Sequence, residues 1–117
     1  MNSEDLKKRT KDFALHTIQS IESLPTSKSA DILGRQLMRS ATSIGANYRA
    51  ACKGRSKADF VSKITIVEEE ADESQYWLEL LIDLKMGNTE VLKSLLQEAR
   101  ELTAIFTAAG KTAKGKK

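Results

Sequence analysis

Apolar residues recur along almost the whole chain at steps of three and four residues, the spacing of one face of an α-helix. The pattern is interrupted by residues that end helices, at Pro25, at Gly54 and at the pair Gly87 and Asn88. It predicts four helices, over residues 4–23, 28–53, 57–86 and 90–109. Residues that cap helices stand before the first three predicted helices: Ser3 before the first, Thr26 and Ser27 before the second, and Ser56 before the third.

Four helices joined by short connections favour an all-α fold, an up-down-up-down antiparallel four-helix bundle over residues 1–110. Residues 111–117 hold four lysines and no large apolar residue, so we expect a disordered basic C-terminal tail. At 1.5 Å per residue, the third helix would be about 45 Å long and the fourth about 30 Å. The second and third helices should therefore overhang the others.

The predicted third helix has more apolar side chains than one core face needs. Tyr76, Trp77 and Leu80 lie outside the seam that its other apolar residues form. A monomer that exposed all three would carry an unusually large apolar patch. We therefore expect them to lie in the interface of a homo-oligomer. The alternative is a wide core face with the two aromatic rings at its margin.

The composition is that of a globular domain, with 40% hydrophobic and 30% charged residues in 117. One proline and six glycines are too few turn residues for a β-sandwich of this length. The polar N-terminus does not resemble a signal peptide, and no apolar run is long enough to cross a membrane. Because the single Cys52 also fits a reducing compartment, we expect a cytoplasmic protein without a membrane partner.

The net charge of +3 is the sum of a basic, an acidic and a second basic segment, in that order along the chain. Residues 1–55 carry ten basic and five acidic side chains, residues 56–101 carry five and eleven, and residues 102–117 carry four lysines and no acid. Such asymmetry indicates either a nucleic-acid partner or subunits that neutralise one another.

Basic residues repeat along the outward face of the predicted second helix. Arg35, Arg39, Arg49 and Lys53 follow one another at steps of four, ten and four residues, and Arg55 extends the row. Such a row can follow a phosphate backbone, and we predict nucleic-acid contacts at Arg35, Arg49, Lys53 and Arg55. No aromatic residues interleave to stack on bases, so a solvated surface or ion pairs between subunits is the alternative.

The inventory of catalytic groups is small. The chain has one histidine, His16, one cysteine and no glycine-rich phosphate loop. Its acidic run over residues 68–73 lacks the Glu-x-x-His pairs of di-iron bundles. We therefore expect no catalytic residue, no metal site and no cofactor.

Three groups of residues in the second and third helices have a distinctive order and spacing: residues 39–49 (RSATSIGANYR), Ser56 with Asp59 and Phe60, and Glu70 and Glu73 with residues 76–81 (YWLELL). In this combination the chain resembles the four-helix-bundle family of 23S ribosomal RNA intervening-sequence proteins. It departs from that family at Ala50 and Ala51, where members often carry a glutamate.

The resemblance implies a bundle that assembles into a ring, typically a homopentamer, with no established enzymatic activity. It also relates the chain to the accessory bundle protein of diversity-generating retroelements, a basic pentamer that engages a reverse transcriptase and its RNA. RNA or a nucleic-acid enzyme is therefore the implied partner, by analogy at the level of fold. A protein-interaction scaffold that binds no nucleic acid is the alternative.

Four polar residues within the resembling segments are predicted to form a structural network. Arg39 and Asn47 lie eight residues apart on the second helix, and Glu70 and Glu73 lie three apart on the third. An enclosed carboxylate is costly without a partner, so contacts between the two helices are expected. A ligand site made of the same residues is the alternative.

Overall fold

The computed structural model describes residues 1–115. It contains four helices, α1 (Ser3–Glu22), α2 (Lys28–Cys52), α3 (Lys57–Asp83) and α4 (Thr89–Gly115). Each helix packs against its neighbours in the chain, and α4 closes the arrangement against α1. The described residues include no strand, and the molecule measures 50 × 22 × 19 Å. The predicted all-α, up-down-up-down antiparallel four-helix bundle is confirmed.

The helix starts are capped by side chains, one of them a residue earlier than expected. Asn2, rather than Ser3, caps α1, because its Oδ1 accepts a hydrogen bond from the backbone N of Asp5 at 2.8 Å. The Asp5 carboxylate accepts in return from the backbone N of Asn2 at 3.3 Å, which completes a capping box. Ser56 caps α3 as the sequence predicts, and of the two candidates for α2, Thr26 and Ser27, it is Ser27 that caps the helix.

The third helix ends at Asp83, three residues before the predicted end, in a Schellman motif. Lys85 has a φ of 56°, and the backbone N of Met86 donates to the carbonyl of Leu81 at 3.0 Å. Gly87 follows with a φ of 76°, in the left-handed region that glycine tolerates best. The predicted helix was too long because Met86 continues the apolar pattern of the helix, although it lies beyond the helix end.

The fourth helix continues to Gly115, so the predicted helix end at residue 109 and the disordered state of residues 111–115 are wrong. Gly110 is a buried position within the helix and does not end it, and a Cβ there would make only an ordinary contact, 3.6 Å from Ile64 of α3. Lys111 and Lys114 sit near the carboxyl end, where the helix dipole favours cations. The rest of the predicted tail, residues 116–117, lies outside the described residues. Because α3 and α4 both have 27 residues, the expected overhang of α3 beyond α4 is absent.

The core is a seam of apolar side chains contributed by all four helices. The largest fully buried ones are Phe13, Leu37, Ile44, Ile64, Leu78, Leu81, Leu92, Leu102 and Phe106. The ring of Tyr48 packs on Phe106 with centroids 5.3 Å apart. Burial is the main cause that raises the pKa of Tyr48, and a hydrogen bond with the Cys52 side chain is the next. The phenol therefore stays neutral within the core.

Among the described residues, four serine and threonine hydroxyl groups are buried in this seam, and three of them have hydrogen-bond partners. Ser40 and Ser74 join α2 to α3 through a hydrogen bond of 2.9 Å between their oxygens. Thr10 donates to the carbonyl of Leu6 at 2.8 Å. Within the described residues, Thr17 Oγ1 is the buried side-chain oxygen that has no partner. An unsatisfied buried hydroxyl costs about 1 to 3 kcal/mol.

Replacing Thr17 by valine should therefore stabilise the bundle, by roughly 1 kcal/mol, because it removes the unpaired oxygen and keeps the shape of the side chain. Thr10→Val is the matched control, since both threonines are fully buried but the Thr10 hydroxyl is bonded. It should lower the free energy of unfolding. Urea unfolding followed by circular dichroism measures both changes. An equal loss in the two variants would show that Thr17 has a partner.

Candidate functional site

The basic residues predicted on the second helix lie on one exposed surface. Arg35, Arg49 and Lys53 are exposed along α2 and its end, and Arg55 is exposed in the connection to α3. We call these four residues the basic stripe. In the part of the chain that the structure describes, none of their side chains forms an ion pair. Their charge is thus available to a partner.

A groove of about 670 Å³ runs beside this stripe, between α1 and α2. Four cations line it, Lys7, Lys8 and Lys11 of α1 and Arg49 of α2. We call it the basic groove. The three lysines were not predicted as part of a site, although the basic segment over residues 7–11 (KKRTK) is a signal that indicates them.

Small residues form the floor of the basic groove and explain its shape. The α1 and α2 backbones come close at Gly45, where a Cβ would lie only 3.2 Å from Thr10 Oγ1. Ala14 and Ala46 flank this point and add no bulk beyond their Cβ atoms. A larger side chain at any of these positions would fill the groove or separate the helices.

Carboxylates neutralise part of the charge of the basic groove. Lys7 Nζ lies 3.3 Å from Glu4, and Lys8 Nζ lies 2.8 Å from Asp12. The hydrogen bond from Lys8 is the main cause that lowers the pKa of Asp12. Lys11 and Arg49 form no ion pair with any described residue, so the groove keeps a positive charge.

Three of the four residues of the predicted polar network meet at the surface between α2 and α3. Arg39 Nη1 lies 3.3 Å from Glu70 Oε1, and Arg39 Nη2 contacts Glu73. Trp77 Nε1 also donates to Glu73, at 3.0 Å. Asn47 is not in this network, since its amide donates to the Ser43 carbonyl of its own helix at 2.9 Å. Arg39 is half exposed, so the ion pairs stabilise the bundle only modestly.

The three predicted interface residues differ in exposure. Tyr76 is 54% exposed, whereas Trp77 and Leu80 are half-buried. The Trp77 ring packs against the margin of the core and meets the Tyr76 ring edge to face, with centroids 5.1 Å apart. The bundle itself therefore covers part of Trp77, and Tyr76 remains open to solvent.

Other exposed apolar residues extend this surface. Leu84 of α3 is 54% exposed and Ile32 of α2 is 51% exposed. Ile32 lies two turns from Arg39 on the same face of α2, and Leu80 lies two turns from Glu73 on the same face of α3. Because the two helices are antiparallel, Ile32 and Leu80 adjoin. We call the resulting surface the apolar strip, formed by Ile32, Tyr76, Trp77, Leu80 and Leu84.

The opposite side of the bundle, between α1 and α4, carries an ion cluster that the sequence analysis did not predict. Arg9 donates to both carboxylate oxygens of Glu98, at 2.6 and 2.9 Å, and to Glu101 at 2.6 Å. Hydrogen bonds from Gln97 and then from Arg9 lower the pKa of Glu101. The cluster links α1 to α4, and the two carboxylates neutralise the charge of Arg9.

The sequence predicts no catalytic residue, no metal site and no cofactor. Within residues 1–115, no three metal-ligating side chains lie close enough together to hold a metal ion. His16 lies on α1, in shallow clefts against α4, and Cys52 is exposed at the end of α2. No helix among these residues is long and apolar enough to cross a membrane.

Comparisons with known proteins identify relatives over nearly the whole chain. The model of the family described as 23S rRNA-intervening sequence protein matches residues 3–108. A solved structure, described as a protein with unknown function from the S23 ribosomal protein family of Bacteroides thetaiotaomicron, is 32% identical. It aligns with a TM-score of 0.85 over 95% of this chain and 99% of the other. No curated protein matches the chain significantly. The chain belongs to the 23S rRNA-intervening sequence protein family.

Proposed function

We propose that this protein is a self-assembling, non-enzymatic four-helix bundle that binds RNA through the phosphate backbone. The observation that carries the proposal is the basic stripe, four exposed cations without an ion pair among the described residues. Each phosphate contact releases counterions, which makes such binding favourable at low salt and largely independent of sequence. A nucleic-acid enzyme bound to its RNA would be held in the same way.

The distribution of charge over the fold supports this assignment. The basic residues of the first half of the chain come together on the adjacent helices α1 and α2, while the acidic run over 68–73 lies on α3. The molecule therefore has a basic and an acidic side. A polyanion is attracted to the first and repelled by the second, which fixes its orientation.

Assembly is the second part of the proposal, and the apolar strip supports it. A strip of five large apolar side chains on a protein of 13.0 kDa is typical of an interaction surface. The family resemblance favours a homopentamer. Several basic stripes on one particle would contact one RNA together, which raises the overall affinity well above that of a single stripe.

The names of the relatives agree with RNA as the partner, since both the matching family and the solved structure are named after ribosomal RNA or the ribosome. We also propose that the protein acts in the cytoplasm and without catalysis. His16 and Cys52, the only histidine and the only cysteine, lie about 20 Å apart along the antiparallel helices α1 and α2. They are too distant to act as base and nucleophile.

Fluorescence anisotropy with labelled oligo-uridine RNA tests the proposal. Wild-type protein should bind at about 50 mM salt and lose most of its affinity by about 200 mM. Lys93→Gln with Arg100→Gln removes two exposed cations from α4 and should leave the affinity nearly unchanged. The absence of any binding at about 50 mM salt would contradict RNA binding by this protein.

A protein-interaction scaffold is the second candidate, and the apolar strip is the observation that favours it. If the strip receives a different protein rather than a second copy, the basic stripe is solvated surface. This scaffold would bind no RNA at low salt and would be a monomer in isolation. Measuring RNA binding at low salt and the mass of the protein in solution therefore separates the two candidates.

A further inference from the structure

We propose that a single RNA strand lies along the basic groove, with its phosphates between the α1 lysines and Arg49 of α2. The inference rests on the RNA binding proposed above and adds the position and the form of the RNA. It is carried by three features of the groove: its length, its unneutralised cations and its floor of small residues.

The length of the basic groove matches a short stretch of one strand. On α1 its lining extends from Glu4 to Ala14, ten steps from residue to residue or about 15 Å along the helix axis. A stacked strand places one phosphate about every 3.4 Å along its axis, so about four phosphates fit. Four cations line the groove, one for each phosphate.

The floor allows the phosphates to approach the helices closely. Ala14, Gly45 and Ala46 hold no side-chain atom beyond Cβ, so the strand can lie between the helices with the cations at its sides. Lys11 of α1 and Arg49 of α2 form no ion pair with described residues and both line the groove, so one strand lying in it can contact both cations. Glu4 competes only weakly with a phosphate for Lys7, because the Glu4 side chain is 80% exposed to water.

The dimensions favour one strand over a duplex. Axes of packed neighbouring helices lie about 8 to 10 Å apart. A duplex is wider than the surface groove between two such helices, since the major groove of B-form DNA alone measures about 12 Å, so a double helix could contact only the rim of the basic groove. None of the lining residues is aromatic, so the bases are not stacked on the protein. Contacts through phosphates predict little sequence preference.

Removing the two free cations of the groove tests their role. The probe is a labelled oligo-uridine of about eight nucleotides, long enough to fill the four phosphate positions of one groove. Lys11→Gln with Arg49→Gln should lower the slope of log affinity against log salt by about 1.4, roughly 25-fold in affinity at about 0.1 M salt. Lys93→Gln with Arg100→Gln is the matched control, because it removes the same charge from α4, away from the stripe and the groove, and it should leave the affinity nearly unchanged. Arg35→Gln with Lys53→Gln removes two charges of the basic stripe that lie outside the groove. Because these two cations attract the strand without holding it in the groove, their loss should weaken binding only a few-fold.

A substitution that fills the groove without changing its charge tests whether binding requires the open floor of the groove. Ala46 is exposed on the groove floor, and leucine is a good helix former, so Ala46→Leu should leave the bundle folded. We expect it to weaken binding of the same oligo-uridine at least tenfold. Ala104→Leu, at an exposed position of α4, is the control and should bind as the wild type does. Unchanged melting curves would show that neither variant disturbs the fold.

The outcomes separate this inference from the proposed function. If wild-type protein binds no RNA, the proposed function fails. If it binds but the Arg35 and Lys53 variant loses as much affinity as the Lys11 and Arg49 variant, the RNA lies on the open stripe and the groove is overturned. Equal affinity for a duplex RNA of the same length, or normal binding by Ala46→Leu, would overturn the single-strand assignment in the same way.

Discussion

Replacing Leu80 by glutamate should divide the assembly into monomers and leave each bundle folded. Leu80 lies in the apolar strip, which we propose faces a neighbouring subunit. A carboxylate in that contact would be buried without a partner, at a cost of several kcal/mol. In the monomer Leu80 is only half-buried, so a glutamate at this position can turn its carboxylate into water. The variant therefore weakens association far more than folding.

Size-exclusion chromatography with light scattering measures this effect. Wild-type protein should have a mass several times 13.0 kDa, fivefold for the ring that the family resemblance implies, and Leu80→Glu should have a mass near 13.0 kDa. Tyr76→Glu, at a more exposed position, should act in the same direction. Leu78→Glu is the contrasting variant, since Leu78 is fully buried in the core and its replacement should abolish the helical signal. A wild-type monomer at micromolar concentration would contradict the assembly.

The bundle could be predicted from the sequence because its signals are local and repeated. The steps of three and four residues place Ile44, Ile64 and Leu78 on the inner faces, and the structure buries all three completely. Capping by Ser27 and Ser56 was also predictable, since each serine precedes the first turn of its helix and bonds a backbone amide three residues on.

The helix ends were harder to predict because a single residue type has several roles. Gly87 has a positive φ in the connection between α3 and α4, whereas Gly110 lies inside α4. The sequence pattern alone does not distinguish a glycine that is needed for its backbone conformation from one that lies within a helix. At Gly110 even a Cβ would make only an ordinary contact with Ile64 of α3, so this glycine is not required by the packing and does not end the helix.

Apart from the network of Arg39 with Glu70 and Glu73, the candidate sites were predicted within single helices but not between them. Arg35, Arg49 and Lys53 share a face of α2, which helical spacing alone determines. The basic groove requires the register of α1 against α2, which depends on the contact between Thr10 and Gly45. Long-range contacts of this kind leave no periodic signal in one sequence. The same limit explains why the ion cluster around Arg9 was not predicted.

Replacing Phe106 by alanine should lower the free energy of unfolding by about 3 to 5 kcal/mol, because it leaves a cavity beside Tyr48 in a fully buried layer. The expected fall in melting temperature is on the order of 15 °C. The size of the loss depends on where α4 ends. If the helix ended near residue 109, Phe106 would lie in its fraying last turn and the loss would be small. In a helix that extends to Gly115, Phe106 lies in the packed interior.

The measurement needs a background in which unfolding is not coupled to dissociation. In an assembly only the folded state associates, so the apparent stability rises with protein concentration and part of the loss at Phe106 would be concealed. Urea unfolding of Phe106→Ala in the monomeric Leu80→Glu background avoids this coupling. Phe106→Leu in that background keeps most of the side-chain volume and should cost less than half as much. A loss below about 1 kcal/mol for alanine would mean that the layer of Tyr48 and Phe106 is not close-packed and that α4 is not anchored by it.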